Sequence, residues 1–115
     1  MANLQKFYFI EDFDKDHLKS LDLNTNVIYR NYKEKYSISK IFKIKKFCKK
    51  IRKKFFLAND INMSIKLRLD GAYIPSFNKD VSIKNLSNKK LLLLGSAHNL
   101  KEINEKKKQG VQILF

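Results

Sequence analysis

Residues 55–74 read Phe55-Phe56-Leu57-Ala58-Asn59-Asp60-Ile61-Asn62-Met63-Ser64-Ile65-Lys66-Leu67-Arg68-Leu69-Asp70-Gly71-Ala72-Tyr73-Ile74. Two apolar runs, 55–58 and 72–74, are continuous rather than alternating, as strands covered on both faces must be. Between them, residues 61–69 form a short helical pattern entered through Asn59-Asp60 and left through Asp70-Gly71. The stretch is a strand, a crossover helix and a second strand, and such a connection makes the two strands parallel.

The same alternation extends in both directions. Apolar runs recur at 7–10, 27–29, 91–94 and 111–115. Helical patterns fall between successive runs, at 14–21, 37–54 and 80–86. In 37–54, Ile41, Ile44, Phe47, Cys48, Ile51 and Phe55 share about a third of the helical circumference, and most of the lysines face the other way. The last helix begins at Asn99, which can cap it while Glu102 completes a capping box, and Gly110 ends it. The order βαβαβαβαβαβ predicts an α/β fold with a parallel sheet, either a barrel or an open doubly wound sheet.

Composition narrows the function classes. A chain of 115 residues, 43% hydrophobic, can bury one modest core, so residues 1–115 are expected to form a single domain. The net charge is +14, yet only three of 25 basic residues are arginines (Arg30, Arg52 and Arg68). Arginine is the side chain that reads bases and phosphates bidentately, so no specific nucleic-acid partner is expected. The lysines of 37–54 lack the interleaved surface aromatics on which single strands stack. The single cysteine, Cys48, forms no internal disulfide and reads as a small buried residue in a reducing, cytoplasmic setting. No run approaches the roughly 20 apolar residues of a membrane span, so no membrane partner is expected.

In parallel α/β folds ligands meet the loops beyond the carboxyl ends of the strands. Those positions hold Glu11-Asp12, Arg30-Asn31, Asn59-Asp60, Ser76-Phe77-Asn78 and Ser96-Ala97-His98-Asn99. Cation, carboxylate, amide, hydroxyl and imidazole suit an anionic, phosphorylated small-molecule substrate with a divalent cation: carboxylate and carbonyl oxygens hold the metal, while Arg30 and Ser96 contact phosphate oxygens. His98 is the candidate acid or base, whereas His17, beside Asp16 on a helix, reads as solvated. Glycine-rich phosphate loops and Cys/His metal clusters are missing from the sequence.

Four segments, in order, resemble the thiamine-phosphate synthase family. Phe56-Leu57-Ala58-Asn59-Asp60 followed by Asp70-Gly71-Ala72-Tyr73-Ile74 is similar to that family's strand ending in Asn-Asp and its Asp-Gly-Val-His-Leu. Val27-Ile28-Tyr29-Arg30 stands where the family has Val-Gln-Leu-Arg. Gly95-Ser96-Ala97-His98-Asn99-Leu100-Lys101-Glu102 resembles its Ser-Thr-His-Ser-Leu-Glu-Glu, and Gln109-Gly110-Val111-Gln112-Ile113 its helix end and sixth strand. The departures are Ile28 for Gln, Tyr73 for His, Pro75-Ser76 for Gly-Gln, and neutral Asn78 for an Asp.

The resemblance implies a TIM-type parallel (β/α) barrel. A complete barrel takes roughly 200 to 250 residues, so the chain is expected to hold an incomplete one of about six βα units, its open sheet edges available for pairing with a second copy. The implied reaction joins hydroxymethylpyrimidine diphosphate to thiazole phosphate with release of pyrophosphate, assisted by Mg²⁺. By the same resemblance Arg30 and His98 are the catalytic candidates. Arg30, Asn59 and Ser96 are the substrate-binding ones, and Asp60 and Asn78 the metal ligands. The related thiazole tautomerases, which move protons without Mg²⁺, form an alternative. A different class of alternative is a non-catalytic basic module for RNA or a membrane surface.

Overall fold

The computed structural model describes residues 5–86 and 90–115. Among the described residues six strands alternate with five helices, in the order β1 (Lys6–Ile10), α1 (Lys15–Ser20), β2 (Thr25–Tyr29), α2 (Ile38–Lys50), β3 (Phe55–Ala58), α3 (Ile61–Lys66), β4 (Gly71–Ile74), α4 (Ile83–Leu86), β5 (Leu92–Gly95), α5 (Leu100–Gln109) and β6 (Ile113–Leu114). Strand order follows sequence order from β1 to β6. An open doubly wound sheet reverses its order at a switch point, whereas the strands β3 to β6 of the second unit run consecutively and in parallel, an α/β arrangement consistent with part of a parallel barrel. Among the described residues no helix is long and apolar enough to cross a membrane.

The chain divides into two compact units, Met1–Phe55 and Phe56–Phe115. In the first, β1 and β2 pair in parallel, from Lys6 opposite Thr25 to Ile10 opposite Tyr29. Every residue of β2 is buried, the polar Thr25 and Asn26 together with the apolar run 27–29. β1 differs: it alternates between exposed and partly buried positions, Tyr8 being 41% exposed, so it is covered on one face. Asp14 caps α1 by accepting from the His17 backbone N–H at 3.1 Å, and His17 is exposed as its sequence context suggested.

Helix α2 starts where expected, with the Ser37 hydroxyl accepting from the Lys40 N–H at 3.3 Å. Ile41, Ile44, Phe47 and Cys48 form its buried face. Sealing Ile41 and Ile44 completely is worth roughly 1.5–3 kcal/mol for each side chain. The helix is shorter than residues 37–54 because Arg52 turns into the left-handed region at φ 60° and breaks it. Phe55 is thereby delivered to β3 instead of the helix face. The turn is held by Lys53, 7% exposed, whose ammonium donates to the carbonyls of Asp22 at 2.6 Å and Thr25 at 2.9 Å. The Lys54 N–H, in turn, donates to Asn26 Oδ1 at 3.0 Å.

The second unit repeats the pattern more compactly. β4 pairs in parallel with β3 and β5, and β5 with β6. Ile61, Ala72, Ile74, Ile83, Leu91 and Leu93 make its core, with Ile65 and Val111 packed against it. Gly71 opens β4 because a Cβ there would lie 1.9 Å from the Leu92 carbonyl oxygen. Asn99 caps α5, accepting from the Glu102 N–H at 2.9 Å, but Glu102 reaches one residue further back than a capping box requires and accepts from the His98 N–H at 2.7 Å. Gly110 ends α5 with φ 86°, a left-handed conformation that only glycine adopts without strain. β6 covers only two residues of the apolar run 111–115.

Candidate functional site

The loops beyond the carboxyl ends of β3 and β4 converge in the second unit. Asn59 leaves β3 with φ 60°, a region that asparagine tolerates better than most residues. Its backbone N–H donates to the Tyr73 carbonyl at 2.7 Å. Asp60 follows as the cap of α3, its Oδ1 accepting from the Met63 N–H at 3.0 Å. Asn78, in the loop after β4, donates from Nδ2 to Asn59 Oδ1 at 2.7 Å. Asn59, Asp60 and Asn78, chosen from the sequence, therefore line one cavity of about 160 Å³, joined by Asn62 and Asp80 above an apolar floor that includes Ile74 and Ile83.

Asp80 and the residues that fix its loop were not singled out from the sequence. The Asp80 carboxylate accepts from the Ser82 hydroxyl at 2.7 Å and the Ser82 N–H at 2.9 Å, and these bonds hold its pKa below the ordinary carboxylate value. Lys106 and Gln109 of α5, 1% and 0% exposed, both donate to the Asn78 carbonyl at 2.8 Å, and Gln109 also to the Asp80 carbonyl at 3.2 Å. Burial lowers the Lys106 pKa, with partial compensation from Glu105 and Glu102. Its stem passes beside Gly95, where a Cβ would approach Lys106 Cδ to 3.1 Å and Val111 to 3.0 Å, so a larger residue there would make these side chains shift by a few tenths of an ångström. In the sequence Lys106 is one of three consecutive lysines. Gly95 is the one hint that a side chain needs room nearby.

Ser96 lies beyond β5 in the same unit. Its hydroxyl is hydrogen-bonded to the Tyr73 hydroxyl, and the Tyr73 ring stacks on Phe115 with centroids 6.1 Å apart. The tyrosine that replaces the expected histidine is thus a hydrogen-bonding partner of the candidate phosphate-binding serine. His98 is exposed, with Nδ1 3.2 Å from Glu102 Oε1, and the two bonds from His98 help to keep the Glu102 carboxyl below its usual pKa.

Arg30 belongs to the first unit, where it follows β2. Its backbone N–H donates to the Ile10 carbonyl at 2.9 Å, and its guanidinium lies 4.0 Å over the Phe9 ring. The stack orients the side chain without occupying its N–H groups, leaving donors for an anion.

The polar walls of the second-unit cavity are amides and carboxylates, an oxygen-rich and net acidic set that would repel a bare phosphate. A hard divalent cation suits such donors, and Mg²⁺ usually takes one or two carboxylates and completes its shell with water and substrate phosphate. Asp60 fits as an anchor, since its second oxygen makes no hydrogen bond among the described residues. The Asn78 amide is engaged at both ends, Nδ2 on Asn59 and Oδ1 accepting from the Asp80 N–H at 3.0 Å. Among the described residues no group of three or more His, Cys, Asp or Glu side chains is placed to hold a metal. Any cation held here would need most of its ligands from water and an anion, since the described residues offer no cage.

Comparison with known proteins bears on the fold. No family model matches the chain, and no curated protein matches it by sequence. Among solved structures it is similar to thiamine phosphate pyrophosphorylase from Pyrococcus furiosus, with a TM-score of 0.66 and 16% identity over 95% of this chain. The match covers 58% of that protein, so the chain spans less than two-thirds of its length. At this identity the likeness establishes a shared α/β fold.

Proposed function

We propose that this chain is a thiamine-phosphate-synthase-like transferase, which binds a pyrimidine diphosphate through Mg²⁺ and passes the pyrimidine to a thiazole phosphate with release of pyrophosphate. The observation that carries the reading is the cavity shared by Asn59, Asp60 and Asn78 beyond β3 and β4, in a chain whose fold resembles that of such an enzyme. In this reading Asp60 holds the cation, with the Asp80 carboxylate adding negative potential on the same wall. Asn59 and Ser96 are the phosphate-binding groups of the second unit, and Arg30 is a separate anion-binding candidate of the first. Charge developing on the departing pyrophosphate is the quantity such a site must stabilise, and bound Mg²⁺ supplies that Lewis acidity. His98, paired with Glu102, serves as the proton-transfer group.

Titration calorimetry with pyrophosphate tests the binding half of the proposal. Binding is expected only when Mg²⁺ is present, and Asp60→Asn should abolish it. The chemical half is tested by incubating the chain with both substrates and looking for thiamine phosphate. Metal-independent pyrophosphate binding would sink the assignment of Asp60. The His98–Glu102 contact favours a second reading, a thiazole tautomerase-like isomerase, which should remain active in EDTA and lose activity on His98→Gln.

A further inference from the structure

The first unit carries a groove that the transferase reading does not use. Helix α2 places Lys43, Lys46, Phe47 and Lys50 at i, i+3, i+4 and i+7, which is one face of the helix. Phe13, in the loop before α1, and Lys15, its first residue, close the other side of a cavity of about 410 Å³. Phe13 meets Phe47 edge-on with centroids 5.7 Å apart, and the ammonium groups of Lys15 and Lys19 each lie 5.9 Å from the Phe47 ring centre. Beside the groove Phe42 is 46% exposed, with the Lys46 ammonium 5.6 Å from its ring centre. Aromatics therefore do interleave with the lysines: Phe42 lies outside the buried face of α2, and Phe13 comes from a different element, which a reading of α2 alone does not reveal.

We propose that this groove binds single-stranded polynucleotide without sequence preference, its lysines following the phosphates and Phe42 and Phe13 stacking bases. Charge complementarity selects the partner. Lys43, Lys46 and Lys50 form no ion pair among the described residues, while the nearby Asp12 is already paired with Lys40. A row of uncompensated ammonium groups repels itself, and the phosphates of a polyanion relieve that repulsion while its condensed counterions are released. A lipid surface is the poorer fit, because the apolar side of α2 (Ile41, Ile44, Phe47 and Cys48) is turned into the core, leaving too little exposed apolar area to enter a bilayer. The scarcity of arginine agrees with binding that does not read bases.

Fluorescence anisotropy of a labelled oligouridylate with the full chain tests the proposal. Affinity should fall steeply with salt, and replacing Lys43, Lys46 and Lys50 together by Gln should reduce the slope of log K against log salt by about 2. Phe42→Ala, at an exposed position where folding can be confirmed by circular dichroism, should weaken oligouridylate binding about tenfold and leave inorganic polyphosphate binding unchanged. Equal losses for oligouridylate and polyphosphate, or no loss for either, would overturn the stacking site. Capture by phosphatidylserine vesicles in preference to oligouridylate would overturn the choice of partner. Asp60→Asn should leave oligouridylate binding intact, which separates this outcome from failure of the transferase reading.

Discussion

Lys53 in the first unit and Lys106 in the second are both buried, both bonded to backbone carbonyls, and both lowered in pKa chiefly by loss of solvation. They act at different ends of the strands. Lys53 ties the turn before β3 to the Asp22 and Thr25 carbonyls at the amino end of β2. Lys106 reaches the Asn78 carbonyl beyond the carboxyl end of β4. In folds of this kind the amino-end loops carry stability and the carboxyl-end loops carry ligands. One residue type thus has two uses: Lys53 secures the scaffold, and Lys106 fixes a loop that faces the candidate site.

The contrast can be broken experimentally, and the largest effect belongs to the amino end. Gly71→Ala would drive a methyl group into the Leu92 carbonyl and should cost about 3 kcal/mol or more, read as a fall in the urea midpoint. Lys53→Met removes two charge-assisted bonds, one to the buried Thr25 carbonyl and one to the partly buried Asp22 carbonyl, and should cost roughly 2–3 kcal/mol in the same measurement. Lys106→Met should cost less, about 1–2 kcal/mol, because Gln109 still holds the Asn78 carbonyl, but it should weaken Mg²⁺-dependent pyrophosphate binding. Equal stability losses for the two lysine variants, with pyrophosphate binding untouched by the second, would erase the distinction.

Titration sharpens it further. Lys53 and Lys106 have folded-state pKa values below 10.5, so between each lowered value and 10.5 the unfolded chain binds more protons than the folded one. Stability should therefore rise as pH increases through that window, and Lys53→Met should flatten the rise. Lys40, raised by its hydrogen bond with Asp12, contributes in the opposite sense: its stabilisation is present below 10.5 and lost above. The smallest stability change is expected for Asp60→Asn, within about 0.5 kcal/mol, since asparagine caps a helix as well as aspartate does.

The strands were legible because their apolar runs are continuous, and 55–58 is β3 to the residue. Boundaries failed where a backbone turn overrode the pattern. The periodicity of α2 carries through Ile51 to Phe55, but the left-handed Arg52 ends the helix and gives Phe55 to the sheet. In β1 Phe7 to Ile10 is apolar throughout, a pattern that a strand covered on both faces would share, yet alternate side chains are exposed. In the candidate site, Asn59 and Asp60 could be named because they follow a strand and match a family segment, and Asn78 because it follows a strand at a position where the family has Asp. Lys106 and Gln109 could not. They lie in a run of charged and polar residues whose burial rests on tertiary contacts with the Asn78 and Asp80 carbonyls.

Cys48, fully buried on the inner face of α2, offers a clock for the first unit. A thiol with no solvent contact reacts with an aromatic disulfide reagent only when its surroundings open, so the labelling rate reports the opening equilibrium of that unit. Because the chain has a single cysteine, every labelled molecule records the same event, and slower labelling on adding a polyanion would show the free energy that occupancy of the groove lends to the helix beneath it.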